Sequence, residues 1–390
     1  MKLLPKHLGA RVVAVLFTLL APLTSSADDT ADKLRSIVDR TVRPLMSRYD
    51  VPGMAVALTV DGRPHVFNYG VSSRQSQAPV TESTLFEIGS ISKMFTTTLA
   101  AYAQAMGKLS LEEHPGQHIA QLKGRPIDRA TLLQLGTYTA GGLPLQFPDT
   151  VQDDDAAIAY FHAWKPDAPA GRVRQYSNPS IGLLGAVTAA ALKDNFANLV
   201  ETQLLPKFGM DHSYIHVPAH ALADYAWGHR DGTSVRVQPG PLDGATYGIK
   251  STASDMIRFV QANIDPGGLE DPLRRAVAAT QVGRFRVGGM VQGFGWEQFP
   301  YPISRELLLR GNAESIIFDP RPVQPTPPQQ PNAARLFDKT GSTRGFGAYV
   351  AFVPAKRIGL VMLANRSLPI PARVEAAHAI LKQLSPSPRP

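Results

Sequence analysis

Strand pairs at opposite ends of the chain restrict its fold more than any other feature. Residues 54–60 (MAVALTV) and 63–71 are strand-like runs joined by Asp61-Gly62, a dipeptide that can supply the positive φ angles of a two-residue hairpin turn. Near the other end, Gly347–Val353 and residues 358–363 form a second such pair around residues 354–357. Between the pairs, alanine- and leucine-rich stretches at 99–106, 180–192 and 255–264 read as helices. Helical spacing also marks 32–49 and 372–384, where Val374, Ala377, Leu381 and Leu384 recur. The expected fold class is α/β (α+β), an antiparallel sheet flanked by helices and built from both chain ends, plus a mainly all-α domain. The expected division is 28–89 and 315–390 for the mixed α/β domain and 90–314 for a mainly helical region, of which about 205–250 returns to the α/β domain. Residues 319–331 (DPRPVQPTPPQQP) hold too many prolines for a helix or an interior strand and predict an extended surface connection.

With 44% hydrophobic and 18% charged residues the chain can build a packed core, which excludes intrinsic disorder. Cysteine is absent, and with it go disulfides, thiol nucleophiles, iron–sulfur clusters and cysteine-ligated zinc. At the N-terminus Lys2, Lys6 and Arg11 precede a mostly apolar run, 12–23, then Ser25-Ser26-Ala27 and Asp28-Asp29. This is the pattern of a secretory signal peptide over 1–27, too short to span a bilayer. No later apolar run approaches spanning length, so the expected mature protein is exported and has no integral membrane segment. The net charge of +8 comes without any basic cluster interleaved with aromatics, and no nucleic-acid partner is expected.

Three short elements carry chemistry. Ser90-Ile-Ser-Lys93 precedes apolar residues at helical spacing, so Ser90 is expected at a helix N-terminus with Lys93 one turn on and within reach of its hydroxyl. A serine becomes a competent nucleophile when a base takes its proton, and a desolvated lysine can do so; an N-cap serine with a solvated lysine fits the same residues. Lys339-Thr340-Gly341-Ser342 enters the strand Gly347–Val353 through a glycine-rich turn. Its lysine and hydroxyl suit a carboxylate, and the backbone N–H of Ser342 can join that of Ser90 at a developing oxyanion. In Tyr176-Ser-Asn178 the first and third residues face one way if the segment is extended. Asn178, followed by Pro179, also reads as a helix N-cap, in which case its amide is occupied.

In the order Ser-x-x-Lys, Tyr-x-Asn, Lys-Thr-Gly, the chain resembles the class C serine β-lactamases. The likeness extends to YTAGGLPLQFPD (138–149), YAWGH (225–229), YGIKST (247–252), QGFGWE (292–297) and PARVEAA (371–377), covering essentially the whole mature chain. The resemblance implies a mixed α/β domain beside an all-α domain with the active site between them. It also implies a periplasmic hydrolase of β-lactams that favours cephalosporins and confers resistance to these antibiotics, with no metal or organic cofactor. By matching positions Ser90 is the acylated nucleophile, and Lys93 and Tyr176 are its acid/base pair. Gln146 and Asn178 match residues that contact the substrate amide, Lys339 and Thr340 match those near its carboxylate, and Gly341 and Ser342 complete the strand motif and the oxyanion hole.

One segment departs from the pattern. Ser367 and Ile370 stand where many relatives carry asparagines that help hold the substrate carboxylate, which implies altered preference with catalysis retained. The principal alternative is a D-Ala-D-Ala peptidase or small-ester hydrolase of the same superfamily. A metal hydrolase reading of His212, His216 and His220, or of His114 and His118, is weakened by Pro218 and by Pro115-Gly116 within those spacings. A monomer is expected.

Overall fold

Asp61 and Gly62 adopt φ of 51° and 81°, the pair of positive values that a two-residue turn needs to follow the twist of its strands. In this computed structural model, which describes Met1, residues 25–329 and residues 333–384, the turn joins β1 (Gly53–Val60) to β2 (Arg63–Gly70). The remaining sheet strands are β3 (Gly283–Val287), β4 (Met290–Gly293), β5 (Glu297–Pro300), β6 (Gln324–Gln329), β7 (Arg335–Ser342), β8 (Gly347–Val353) and β9 (Ile358–Ala364). Among the described residues these nine strands form one antiparallel sheet in the order β6-β3-β4-β5-β7-β8-β9-β1-β2. β9 runs beside β1 from Met54↔Ala364 to Val60↔Ile358, so strands from the two ends of the chain meet inside the sheet, one strand in from its β2 edge. The segment expected to be a signal peptide, 1–27, lies outside the described residues apart from Met1 and the start of the first helix.

The helices that frame the site are α1 (Ser25–Arg48), α2 (Ser92–Ala105), α3 (Asn178–Leu192), α4 (Ala253–Ile264), α5 (Asp271–Thr280) and α6 (Ile370–Leu384). α1 buries Leu34, Ile37, Val38, Val42 and Leu45, a stripe at helical spacing. With α6 it covers Met54, Val56, Leu58, Tyr349, Ala351, Leu360 and Met362. The opposite face, with Ala55, Ala57, Val350, Phe352, Val361 and Leu363, packs on Met256, Phe259 and Val260 of α4. Burial on both faces explains why β8 and β9 read as unbroken apolar runs rather than as alternating strands. Small residues mark the α4 side: a Cβ on Gly359 would lie 2.4 Å from Val260 Cγ1. The same core continues through the Phe95–Phe259 stack, with centroids 4.4 Å apart, into α2, α3 and α5.

One expectation changes. Residues 283–300, assigned to the mainly helical region 90–314, supply β3, β4 and β5 of the main sheet. β3 (GRFRV) does alternate, but over only five residues, and β4 (MVQG) and β5 (EQFP) show no period, so these short strands do not stand out against the helical stretches around them. Within 205–250, Ser213–Tyr214 pairs with Lys250–Ser251, which in turn pairs with Phe86–Glu87 just ahead of Ser90, forming a separate small sheet. The described part of the proline-rich connection, 319–329, is extended as expected, and part of it becomes β6, the outermost strand, where a missing N–H disturbs no interior ladder.

Candidate active site

Gly89–Ile91 forms a 3₁₀ turn that runs into α2, so Ser90 lies at the helix entrance and Lys93 rises one turn above it. Lys93 Nζ donates to Ser90 Oγ at 3.0 Å and to the Thr246 carbonyl at 2.9 Å. The lysine is fully buried among apolar helix neighbours and lacks a carboxylate partner at ion-pair distance among the described residues. Burial pushes its pKa down to about 8; Lys339 pushes the same way and Tyr176 opposes. A lysine in that range can give up its proton near neutrality, which is what activation of Ser90 requires.

Tyr176 stands beside this pair. Its ring centroid is 5.2 Å from Lys93 Nζ, 4.9 Å from Lys339 Nζ and 5.8 Å from Arg174 Cζ, and it packs on Tyr138 with centroids 4.8 Å apart. Its hydroxyl is buried and makes no well-formed hydrogen bond within the protein. Burial would raise its pKa, but Lys339 and Lys93, helped by the neighbouring Ser90 hydroxyl, bring it down to about 8. Lys93 and Tyr176 therefore each shift the other's proton affinity, and a proton released from a hydroxyl placed here can be taken by either.

The strand motif is brought against Ser90 by two glycines. A Cβ on Gly341 would sit 2.0 Å from the Ile88 carbonyl oxygen, and one on Gly89, whose φ is 52°, would sit 2.5 Å from Ser342 N. With no side chain on either, the backbone of β7 lies directly on the Gly89–Ile91 turn, which brings Ser342 N against the turn that carries Ser90. Thr340 and Ser342 line the open cavity, whereas Lys339 lies beneath it, buried, with its Nζ 3.7 Å from Glu297 Oε1. Although burial works against it, Glu297 and Tyr176 hold the Lys339 pKa above the ordinary lysine value.

Ser177 is the N-cap of α3, its Oγ accepting from Ser180 N at 3.0 Å, and Asn178 is the first helical residue. The capping alternative for Asn178 is thereby removed. Its Nδ2 donates to Gln146 Oε1 at 2.8 Å, and its buried Oδ1 is without a partner. Gln146, Asn178, Ser90, Tyr176, Thr340 and Ser342 all border one cavity of about 910 Å³, with Ser367 and Ile370 on its far rim. All nine expected site residues are therefore gathered at this cavity, Lys93, Lys339 and Gly341 behind its wall. The arrangement offers a hydroxyl nucleophile, a shared acid/base pair, two backbone donors and a neutral amide pair across from a cationic end.

A family model described as Beta-lactamase matches residues 38–385. A beta-lactamase of Pseudomonas fluorescens is 49% identical over 356 residues, 91% of this chain and 99% of the relative. One from Yersinia enterocolitica is 41% identical over 378 residues, covering 95% and 97%. This chain belongs to the beta-lactamase family. Among solved structures, a class C beta-lactamase in complex with cefoxitin is 43% identical with a TM-score of 0.88, covering 91% of this chain and 99% of its own. A structure described as the D-alanine carboxypeptidase AmpC from Burkholderia cenocepacia is 49% identical with a TM-score of 0.87, covering 90% and 99%.

Sequence reasoning missed two parts of this beta-lactamase site. Arg373, at the start of α6, is buried at the cationic end of the cavity; it donates to the Gly341 carbonyl, to the Ala348 carbonyl at 3.0 Å and to Ser342 Oγ at 2.6 Å. Burial lowers its pKa to about 10, and no ion pair accompanies it among the described residues. Its signal was the arginine within PARVEAA, a helical segment whose register gives no hint that this residue points under β7. The other part is Arg174, two positions before Tyr176. Its Nη2 donates to Glu297 Oε1 at 2.9 Å and its Nε to Gln292 Oε1 at 2.8 Å, forming a buried floor beneath the tyrosine.

Proposed function

We propose that this chain is an exported class C serine β-lactamase that hydrolyses β-lactams, cephalosporins in particular, through an acyl-enzyme on Ser90. The observation that carries the reading is the 3.0 Å contact between Ser90 Oγ and a buried Lys93 Nζ, with Tyr176 completing the proton-sharing group. Lys93 and Tyr176 take the hydroxyl proton as Ser90 Oγ attacks the lactam carbonyl. The oxyanion forms between the N–H groups of Ser90 and Ser342, the C–N bond of the four-membered ring breaks, and the pair returns the proton to the departing nitrogen. One water, activated on the Tyr176 side, then cleaves the ester and frees Ser90. Gln146 and Asn178 receive the substrate's side-chain amide, while Thr340, with Lys339 and Arg373 behind it, faces its carboxylate.

The signal-peptide pattern supports export to the periplasm, and no helix among the described residues is long and apolar enough to cross a membrane. The mature chain acts as a monomer without metal or organic cofactor. A carboxypeptidase reading is favoured by the name carried by the Burkholderia cenocepacia structure; it shares the acylation step and differs in how fast water reaches the acyl-enzyme. Steady-state turnover of a chromogenic cephalosporin, followed with intact mass, separates the two. Many turnovers per enzyme, abolished in Ser90→Ala, are expected; a single stoichiometric burst leaving a stable adduct on Ser90 would favour the carboxypeptidase.

A further inference from the structure

We propose that Asp338, a buried carboxyl set opposite Glu297 in the strand register, is a positioning residue whose charge, added to that of Glu297, controls where the proton of Tyr176 resides. The proposal rests on the reading of Tyr176 as an acid/base partner. Glu297 on β5 and Asp338 on β7 are direct partners in the strand register, and both are buried. Glu297 Oε1 is held by Arg174 Nη2 at 2.9 Å and faces Lys339 Nζ at 3.7 Å. Arg174 cannot drift from this position, because its Nε donates to Gln292 Oε1 at 2.8 Å and its Nη1 to the Ile316 carbonyl at 2.7 Å. Asp338 Oδ2 accepts from Asn312 Nδ2 at 2.8 Å and from Tyr349 Oη at 2.7 Å, leaving Oδ1 buried without a donor.

An unpartnered carboxylate oxygen opposite a second carboxylate is costly, and a proton on Asp338 relieves both the missing hydrogen bond and the like-charge repulsion. Burial first, and Glu297 second, accordingly hold Asp338 up at about 7. The groups facing Asp338 are Glu297 from β5, Tyr349 from β8, Asn312 after the helix Arg305–Gly311, and Lys339 from its own strand. Those facing Tyr176 are Lys93, Lys339, Arg174, Glu297 and Tyr138. Three cations therefore surround the tyrosine. With Asp338 charged, two carboxylates oppose them; with Asp338 neutral, Glu297 does so alone and tyrosinate at 176 is favoured. Uptake of a proton at Asp338 thus keeps Tyr176 ionisable as pH falls.

Asp338→Asn tests this, since asparagine keeps an acceptor for Asn312 and Tyr349 while fixing the neutral state. The readout is the ¹³Cζ resonance of Tyr176 in tyrosine-labelled mature protein, assigned with Tyr176→Phe, together with the pH profile of kcat/KM on a chromogenic cephalosporin. In Asp338→Asn the Tyr176 midpoint is expected to fall by about half a pH unit or more, equivalent to about threefold in tyrosinate on the acid side of that midpoint. The parent and variant profiles should converge in acid and separate above about pH 7, where the parent Asp338 loses its proton. Glu297→Gln, nearer to Lys339, should lower the midpoint further; if its loss of the Arg174 partner prevents folding, Asp338→Asn decides alone. An unchanged midpoint with activity depressed equally at every pH would overturn the proposal. Because the resonance is read without turnover, a shifted midpoint in a protein that fails to hydrolyse the cephalosporin supports the pair and rejects only the assigned activity.

Discussion

Burying Lys93 costs the fold stability. Its ordinary pKa of 10.5 is brought to about 8 by burial, so folding carries the cost of desolvating an ammonium group. For a cation whose folded pKa is depressed, that cost is full below pH 8 and is relieved as pH rises from 8 to 10.5, because the folded state then binds fewer protons than the unfolded one. Lys93→Met should abolish turnover yet raise the melting temperature, and the gain should be larger at pH 7 than at pH 10, as thermal melts of both proteins at the two pH values would reveal. A different residue-scale effect belongs to the cavity rim. Ser367 and Ile370 offer one hydroxyl and no amide on the cavity wall they share with Thr340 and Arg373, so under the proposed function the substrate carboxylate would depend more heavily on those two. Restoring asparagine at both positions should change the ratio of kcat/KM between substrates by about tenfold, the size of one charge-assisted hydrogen bond, with the acylation chemistry intact. A kcat/KM unchanged from the parent for every substrate in a panel would refute that dependence.

At the scale of elements, the site is a contact between a turn and a strand. Gly341 lets β7 rest on the Gly89–Ile91 turn, and a methyl group there would meet the Ile88 carbonyl at 2.0 Å. Gly341→Ala must push β7 outward and carry the Ser342 N–H away from Ser90. Displacements near 1 Å cost on the order of 100-fold in rate, and kcat for a chromogenic cephalosporin should fall by about that factor. A loss confined to KM would show that the strand can yield without disturbing the oxyanion donors. The motif Lys-Thr-Gly was legible in sequence, but the reason for its glycine was not, because Ile88 lies 253 positions away in the chain. For Asn178 the neighbouring residue decided: Ser177 caps α3, so the asparagine amide is left to Gln146.

At the scale of the molecule, one apolar core runs from Val350 and Phe352 of the sheet through α4 to Leu183 of α3 and Leu273 of α5. Sheet and helical regions should therefore unfold together. Far-UV circular dichroism and the fluorescence of Trp164, Trp227 and Trp296 are expected to trace coincident urea transitions, and two resolved transitions would mean that the shared core is not the cooperative unit. The sequence alone determined the hairpins, the long helices, the two chain ends as one sheet and the three motifs, because hydrophobic period, Asp-Gly turn chemistry and motif spacing are local properties. The resemblance to a known family supplied the nine expected site residues, which the structure gathers at one cavity. Only the tertiary structure decided that residues 283–300 are sheet strands, that Arg373 props up the Ser342 end, and that Glu297 and Asp338 face each other behind Lys339. The physical reason is shared by all three. A short polar strand or a buried charge has no stable meaning until distant segments exclude water around it, and that exclusion is a product of packing rather than of sequence neighbours.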